Sequence, residues 1–191
     1  MRGMDALQHV IKYDDVSTIL DVGSWRGDQA RFLEKHGKIV KTVDFNVAAD
    51  FTGNFLHIDF PEKFDCIWCS HTLEHQPNVG LFLEKCYNDL RDGGLLAITV
   101  PFMRKYDHSV VDGHLTYWNG GNLLYNIIAA GFDCSNARVK TYADQVSVLV
   151  RKVGADLPEM TGDRGEINRL SKFFPMKVDQ GFSGHIESLN W

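Results

Sequence analysis

Two apolar runs, separated by a glycine turn and one helical stretch, leave this chain few folds to choose from. The first, "TILDV" (18–22), carries Asp21 near its end, and the second, "KIVKTVDF" (38–45), carries Asp44. Between them lie the turn "GSWRGD" (23–28) and a helical pattern from Asp28 to His36. A strand, a crossover helix and a second strand make a unit whose two strands lie parallel. The alternation continues. "FDCIWCS" (64–70) reads as a strand, Val79 to Leu90 as a helix after the breaker Pro77, and "GGLLAITVP" (93–101) as a turn and strand. Asn119 to Ala130 is an apolar helix stopped by Gly131, and "FDCSNARVK" (132–140) and "QVSVLVRK" (145–152) read as two closing strands. The segment 46–55 has room for a short strand but hardly for a helix. This pattern specifies the α/β class, with a doubly wound, mostly parallel sheet and a terminal antiparallel hairpin strand.

That pattern fills residues 1–153. Residues 154–191 change character, with Pro158, Gly162, Gly165, Pro175, Gly181 and Gly184 and one helical stretch at 164–174. The segment is too short for a core of its own, yet it holds Phe173, Phe174, Phe182 and Trp191. It is expected to pack as an appendage on the preceding domain or on a second subunit, which leaves a homodimer open. A net charge of −5 argues against general nucleic-acid binding, which needs a basic stripe to displace counterions. No apolar run reaches the roughly 20 residues of a membrane span. The N-terminal dozen residues show no secretion signal, and the four cysteines lack a framework spacing. A cytoplasmic location is the expectation. Cys66 and Cys69 form a C-x-x-C, but on a strand such residues face opposite sides of the sheet, so both are expected in the core.

The turn after the first strand narrows the choice of ligand. A dinucleotide fingerprint counted from Gly23 needs glycine where Trp25 and Asp28 stand, and no Gly-Lys pair supplies a phosphate loop. Asp28 at the start of the helix would also repel a pyrophosphate. A ligand without phosphate suits these residues better. S-adenosyl-L-methionine brings a sulfonium, an ammonium, a carboxylate and two ribose hydroxyls. Asp21 can orient the turn and attract the amino-acid end, Gly23 and Gly27 admit a close backbone, and Asp44 can accept from both ribose hydroxyls.

From Thr18 to Lys152 the chain resembles the class I S-adenosylmethionine-dependent methyltransferases, whose fold is Rossmann-like. Their first motif, D/E-x-G-x-G-x-G, is matched by Asp21, Gly23 and Gly27, with Trp25 in place of the middle glycine. Their ribose-binding acid is matched by Asp44, and "FDCIWCSHTLEHQPNV", "RDGGLLAITVP" and "GHLTYWNGGNLLYNIIAAGFD" follow in the family's order. The resemblance implies a cofactor site made of Asp21, Gly23, Ser24, Trp25, Gly27, Asp44, Phe45, Asn54, Phe55, Ser70 and His71. Asn54 takes the place at the adenine amino group where the family usually has an acid, and Asp59 is the runner-up. Trp25 is expected to keep ordinary backbone angles. Its side chain then caps the methionine moiety, lines the acceptor channel or packs under the N-terminal segment.

"HTLEH" (71–75) also matches the H-x-x-E-H signature of inverted zinc peptidases. Those enzymes need both histidines on one helical face, and Pro77 stops a helix from running through the motif, so no metal is expected. Glu74 and His75 are expected to fix the following loop instead. The loop 101–118 should line the acceptor pocket, beyond the carboxyl ends of the fourth and fifth strands. His108, His114 and His71 are the catalytic candidates, because an imidazole titrates near pH 6.5 and can take a proton from a hydroxyl or amine. The expected reaction is methyl transfer to oxygen or nitrogen of a small molecule or saccharide. Two alternatives stand beside it: a non-catalytic S-adenosylmethionine-binding subunit, and a zinc hydrolase acting through His71, Glu74 and His75.

Overall fold

The computed structural model describes residues 2–102 and 113–191. Eight strands form one sheet: β1 (Thr18–Val22), β2 (Ile39–Asp44), β3 (Phe51–Thr52), β4 (Phe64–Ser70), β5 (Leu90–Pro101), β6 (Arg138–Tyr142), β7 (Gln145–Arg151) and β8 (Ser188–Leu189). Their order is β3-β2-β1-β4-β5-β7-β6-β8. The first five run parallel, β7 is antiparallel to β5, and the β6–β7 hairpin is antiparallel within itself. This is the expected doubly wound sheet with its terminal hairpin.

Among the described residues five helices accompany the strands: α1 (Met4–Val10), α2 (Asp28–Lys35), α3 (Val79–Asp89), α4 (Gly120–Ala129) and α5 (Glu166–Leu170). Because side chains alternate across a strand, the sheet separates two apolar cores. Leu20, Val22, Ile67 and Cys69 join Phe82, Leu83, Leu124 and Ile127 in one core. Ile19, Cys66 and Trp68 join Leu7, Val10 and Leu33 in the other. Cys66 and Cys69 thus lie on opposite faces. Both are buried and free, and burial pushes both thiols well up.

Two local readings differ from the sequence expectation. The strand read from residue 132 begins only at Arg138, because Asp133 Oδ1 accepts from Ser135 N at 2.8 Å and Ala137 N donates to Cys134 O, closing a turn first. The helix read over 164–174 is α5 followed by a 3-10 turn at Ser171–Phe173. The N-terminal segment forms α1, whose Ala6, Leu7 and Val10 are fully buried. Along the last segment Phe173 and Phe174 are each 6% exposed, Gly121 N donates to Gly184 O, and β8 pairs with β6. No helix among the described residues is long and apolar enough to cross a membrane.

Candidate active site

In an open α/β sheet the ligand crevice lies where neighbouring strands send their connections to opposite faces, beyond their carboxyl ends. Here that point falls between β1 and β4, and the turns leaving Val22 and Ser70 form its walls.

The turn after β1 is held from below. Gly23 N and Ser24 N both donate to Val43 O, at 2.8 and 3.2 Å. Asp44 Oδ2 accepts from Trp25 N at 2.7 Å, while its Oδ1 accepts from Asn46 N and Val47 N. One carboxylate therefore ties the first turn to the loop after β2. Gly27, at φ 71°, then starts α2 with no side-chain cap. Asp21 lies beneath the turn, 1% exposed, and its Oδ2 has no partner among the described residues. Burial above all, and then the charge of Asp44, pushes its carboxyl up to about 7, while a backbone bond from Ala30 opposes the shift.

Trp25 corrects the sequence expectation. Its φ is +46°, in the left-handed region, and its side chain is 58% exposed at the cavity wall instead of packed under the N-terminal segment. The middle position of the turn therefore demands a glycine-like backbone, and here a tryptophan supplies it under strain of about 1–3 kcal/mol. Arg26 stacks on the indole at 4.4 Å. His71 is the second such residue, with φ 56°. Replacing Trp25 by glycine should leave unfolding free energy in urea unchanged or raised by up to about 1 kcal/mol. The same change should weaken binding of S-adenosylhomocysteine, measured by calorimetry.

Two cavities meet at Gly23, Trp25 and His71. The larger, about 740 Å³, is bordered by Asp44, Phe45 and Phe55 and also by His75, Gln76 and Leu115. The smaller, about 500 Å³, is bordered by Arg2, Ser24, Asp28, Gln29 and Ser70. Arg2 and Gln29 were not legible as site residues. α1 brings the chain start over β4, where Gln29 Nε2 donates to Arg2 O at 2.7 Å, Trp68 Nε1 donates to Gln29 Oε1, and Gly3 N donates to Gln145 Oε1.

The predicted adenine contacts separate. Phe55 borders the larger cavity, but Asn54 caps a 3-10 turn, its Oδ1 accepting from Leu56 N at 3.0 Å. That oxygen keeps a second lone pair, but Asn54 itself borders neither cavity. Asp59 is exposed and borders neither cavity.

After β4 the "HTLEH" segment makes a single 3-10 turn, Leu73–His75. His71 Nε2 donates to Gln145 Oε1 at 3.1 Å, and His71 Nδ1 lies 3.3 Å from Glu74 Oε1. Glu74 O accepts from Leu115 N and Thr116 N, and His75 Nδ1 lies 2.7 Å from Gly113 O, so both residues hold the loop that carries His114. The His114 ring packs edge-on against His75 at 5.0 Å, and its pKa is lowered, chiefly by burial. His108 lies outside the described residues.

A mostly parallel sheet in this strand order, with a glycine turn held by Asp44 at the end of β2, is the architecture of the class I S-adenosylmethionine-dependent methyltransferases. The chain belongs to the methyltransferase-domain family, whose model matches residues 5–134, and S-adenosyl-L-methionine is its methyl donor. Solved structures share the fold. One is the 1,6-didemethyltoxoflavin-N1-methyltransferase of Burkholderia thailandensis, with bound 1,6-didemethyltoxoflavin and S-adenosylhomocysteine; at 18% identity and a TM-score of 0.65 the match covers 78% of this chain and 77% of that one. A methyltransferase from Archaeoglobus fulgidus gives a TM-score of 0.65 at 14% identity, covering 80% of this chain and 95% of that one. A sugar N-methyltransferase from a Streptoalloteichus species gives 0.62 at 13% identity, covering 78% and 86%. No curated protein matches the chain by sequence.

Proposed function

We propose that this enzyme methylates an oxygen or nitrogen of a small-molecule or saccharide acceptor. The observation that carries the proposal is the pair of cavities joined at Gly23, Trp25 and His71. Together they have one place for each part of the methyl donor and one place left over. Asp44 accepts from the ribose hydroxyls, and Phe45, 67% exposed at the rim, stacks on the adenine beside Phe55. The amino-acid end enters the smaller cavity, where Arg2 meets its carboxylate and Asp28 its ammonium, while Gln29 and Ser70 flank it. The methyl group then points past Trp25 and His71 toward His75, Gln76 and Leu115, where the acceptor sits.

Transfer is an in-line displacement on a carbon already activated by the sulfonium, so the protein supplies orientation and water exclusion. His71 and His75 border the acceptor's seat, and His114 packs against His75 behind it. Compact acceptors are supported by the two relatives that act on a small heterocycle and on a sugar. The net charge of −5 supports the same reading over a nucleic acid, and the four free cysteines suit a cytoplasmic enzyme.

Calorimetry tests the donor half of this reading. Asp44→Ala should weaken binding of S-adenosylmethionine by about 10- to 100-fold, the loss of one or two charge-assisted hydrogen bonds. A screen of hydroxylated and aminated small molecules and sugars, followed by release of S-adenosylhomocysteine, tests the acceptor half. Turnover confined to nucleic acid would overturn it.

A further inference from the structure

Glu74, His75 and His114 have a geometry that methyl-donor binding does not use. The Glu74 side chain is 1% exposed, and neither of its carboxylate oxygens accepts a hydrogen bond among the described residues. A buried carboxylate in that condition is costly unless a cation faces it. His71 Nδ1 lies near, at 3.3 Å, but it also faces the Arg2 guanidinium at 3.4 Å, and its Nε2–H is spent on Gln145. His75 is arranged differently. Its Nδ1 lies 2.7 Å from Gly113 O, which can only accept, so Nδ1 carries the proton. Its Nε2 lone pair then turns to Glu74 Oε1, 3.9 Å away. A backbone carbonyl that fixes the tautomer in this way is the usual support of a metal-binding imidazole. His114 completes the group. One ligand atom from each of Glu74, His75 and His114 lies within 4.8 Å of the other two. Ligands on one ion at roughly 2.0–2.2 Å sit about 3–4 Å apart, so small side-chain movements close the set.

We propose that Glu74, His75 and His114 bind a divalent first-row transition ion at the acceptor end of the larger cavity. Two imidazoles and one carboxylate suit such an ion and leave coordination positions open. Because His75 borders the cavity, those positions face the acceptor's seat. The proposal rests on the methyltransferase reading and deepens it, since the acceptor then carries a hydroxyl. The ion holds that oxygen and favours loss of its proton to solvent. The oxygen forms the new C–O bond as the C–S bond breaks, and the sulfur of S-adenosylhomocysteine keeps the electron pair. The ligand set is not that of the H-x-x-E-H motif, because His114 from a separate loop takes the place of His71.

Metal-stripped, full-length protein titrated with Co²⁺ provides the test, read by calorimetry and by visible absorption. One equivalent should bind with intensified bands of low coordination number and be displaced by Zn²⁺. Glu74→Gln and His114→Ala should each weaken binding by about tenfold or more. His114 is half-buried on a loop, so its variant should fold like the wild type, which thermal unfolding checks. No saturable Co²⁺ binding in the micromolar range overturns the proposal. So does wild-type affinity in the folded His114→Ala protein. Titration of the same samples with S-adenosylhomocysteine reports separately on the methyl-donor site, so failure of the ion site and failure of the methyltransferase reading are told apart.

Discussion

Gly23→Ala should collapse the turn after β1 and abolish measurable binding of S-adenosylmethionine. Gly23 sits at φ +77°, and a Cβ added there would stand 2.1 Å from Thr72 Oγ1 and 2.8 Å from Thr72 Cγ2. The left-handed backbone costs an alanine about 1 kcal/mol, and overpacking against a fixed neighbour adds about 1–3 kcal/mol. Thr72 cannot easily yield, because its hydroxyl donates to Val22 O at 3.1 Å and so fastens the β4 turn to the end of β1. The unfolding free energy in urea should therefore fall by about 2–4 kcal/mol. Adding Thr72→Ala should recover the steric part and leave the backbone part. A single variant as stable as the wild type, with donor affinity intact, would contradict this account of the turn.

The largest pH effect between pH ~5 and pH ~8 should come from Asp21. Its unfolded pKa is about 3.9, and in the folded chain burial and the neighbouring Asp44 raise it to about 7. Between those values the folded protein holds the proton that the unfolded chain has lost. The contribution of Asp21 to stability is thus complete below pH ~4 and lost as pH rises through about 7, a total of about 4 kcal/mol. Other groups act in the opposite sense. Arg151 beside Asp15 lowers that carboxyl, and burial lowers the imidazoles of His9 and His114. The effect must therefore be read as a difference from Asp21→Asn, whose amide does not titrate. From pH 5 to pH 8 the wild type should lose about 3 kcal/mol of unfolding free energy relative to that variant. A difference independent of pH would refute the buried-acid description. A cationic ligand at the turn stabilises the ionised carboxyl, so saturating S-adenosylmethionine should shrink the loss.

The sequence by itself determined the sheet and half of the site. Apolar runs ended by Asp21 and Asp44 and spaced by one helix can only be parallel neighbours, and the breaker positions Gly23, Gly27, Pro77 and Gly131 place the turns. Those signals are local, carried by period and by backbone freedom, and so they survive in a single chain read alone. What the tertiary structure decided involves residues far apart in the chain. Arg2 meets the crevice because α1 buries Leu7 and Val10 against Trp68, sixty residues away in sequence. Asn54 reads as an adenine ligand, and folding also makes it the cap of the 3-10 turn that follows, its oxygen accepting from Leu56 N. Trp25 reads as a tolerated departure from glycine; the ties to Asp44 Oδ2 and Val43 O hold its turn in the left-handed region. "HTLEH" reads as one motif with His71 and His75 as partners. Folding divides it instead, giving His71 to Gln145 on β7 and bringing His75 to His114 around a buried carboxylate. A linear pattern records which groups a chain possesses. Which of them share a dry, charged pocket is settled only when strands and loops distant in sequence close over it, because burial and proximity are properties of the packed chain.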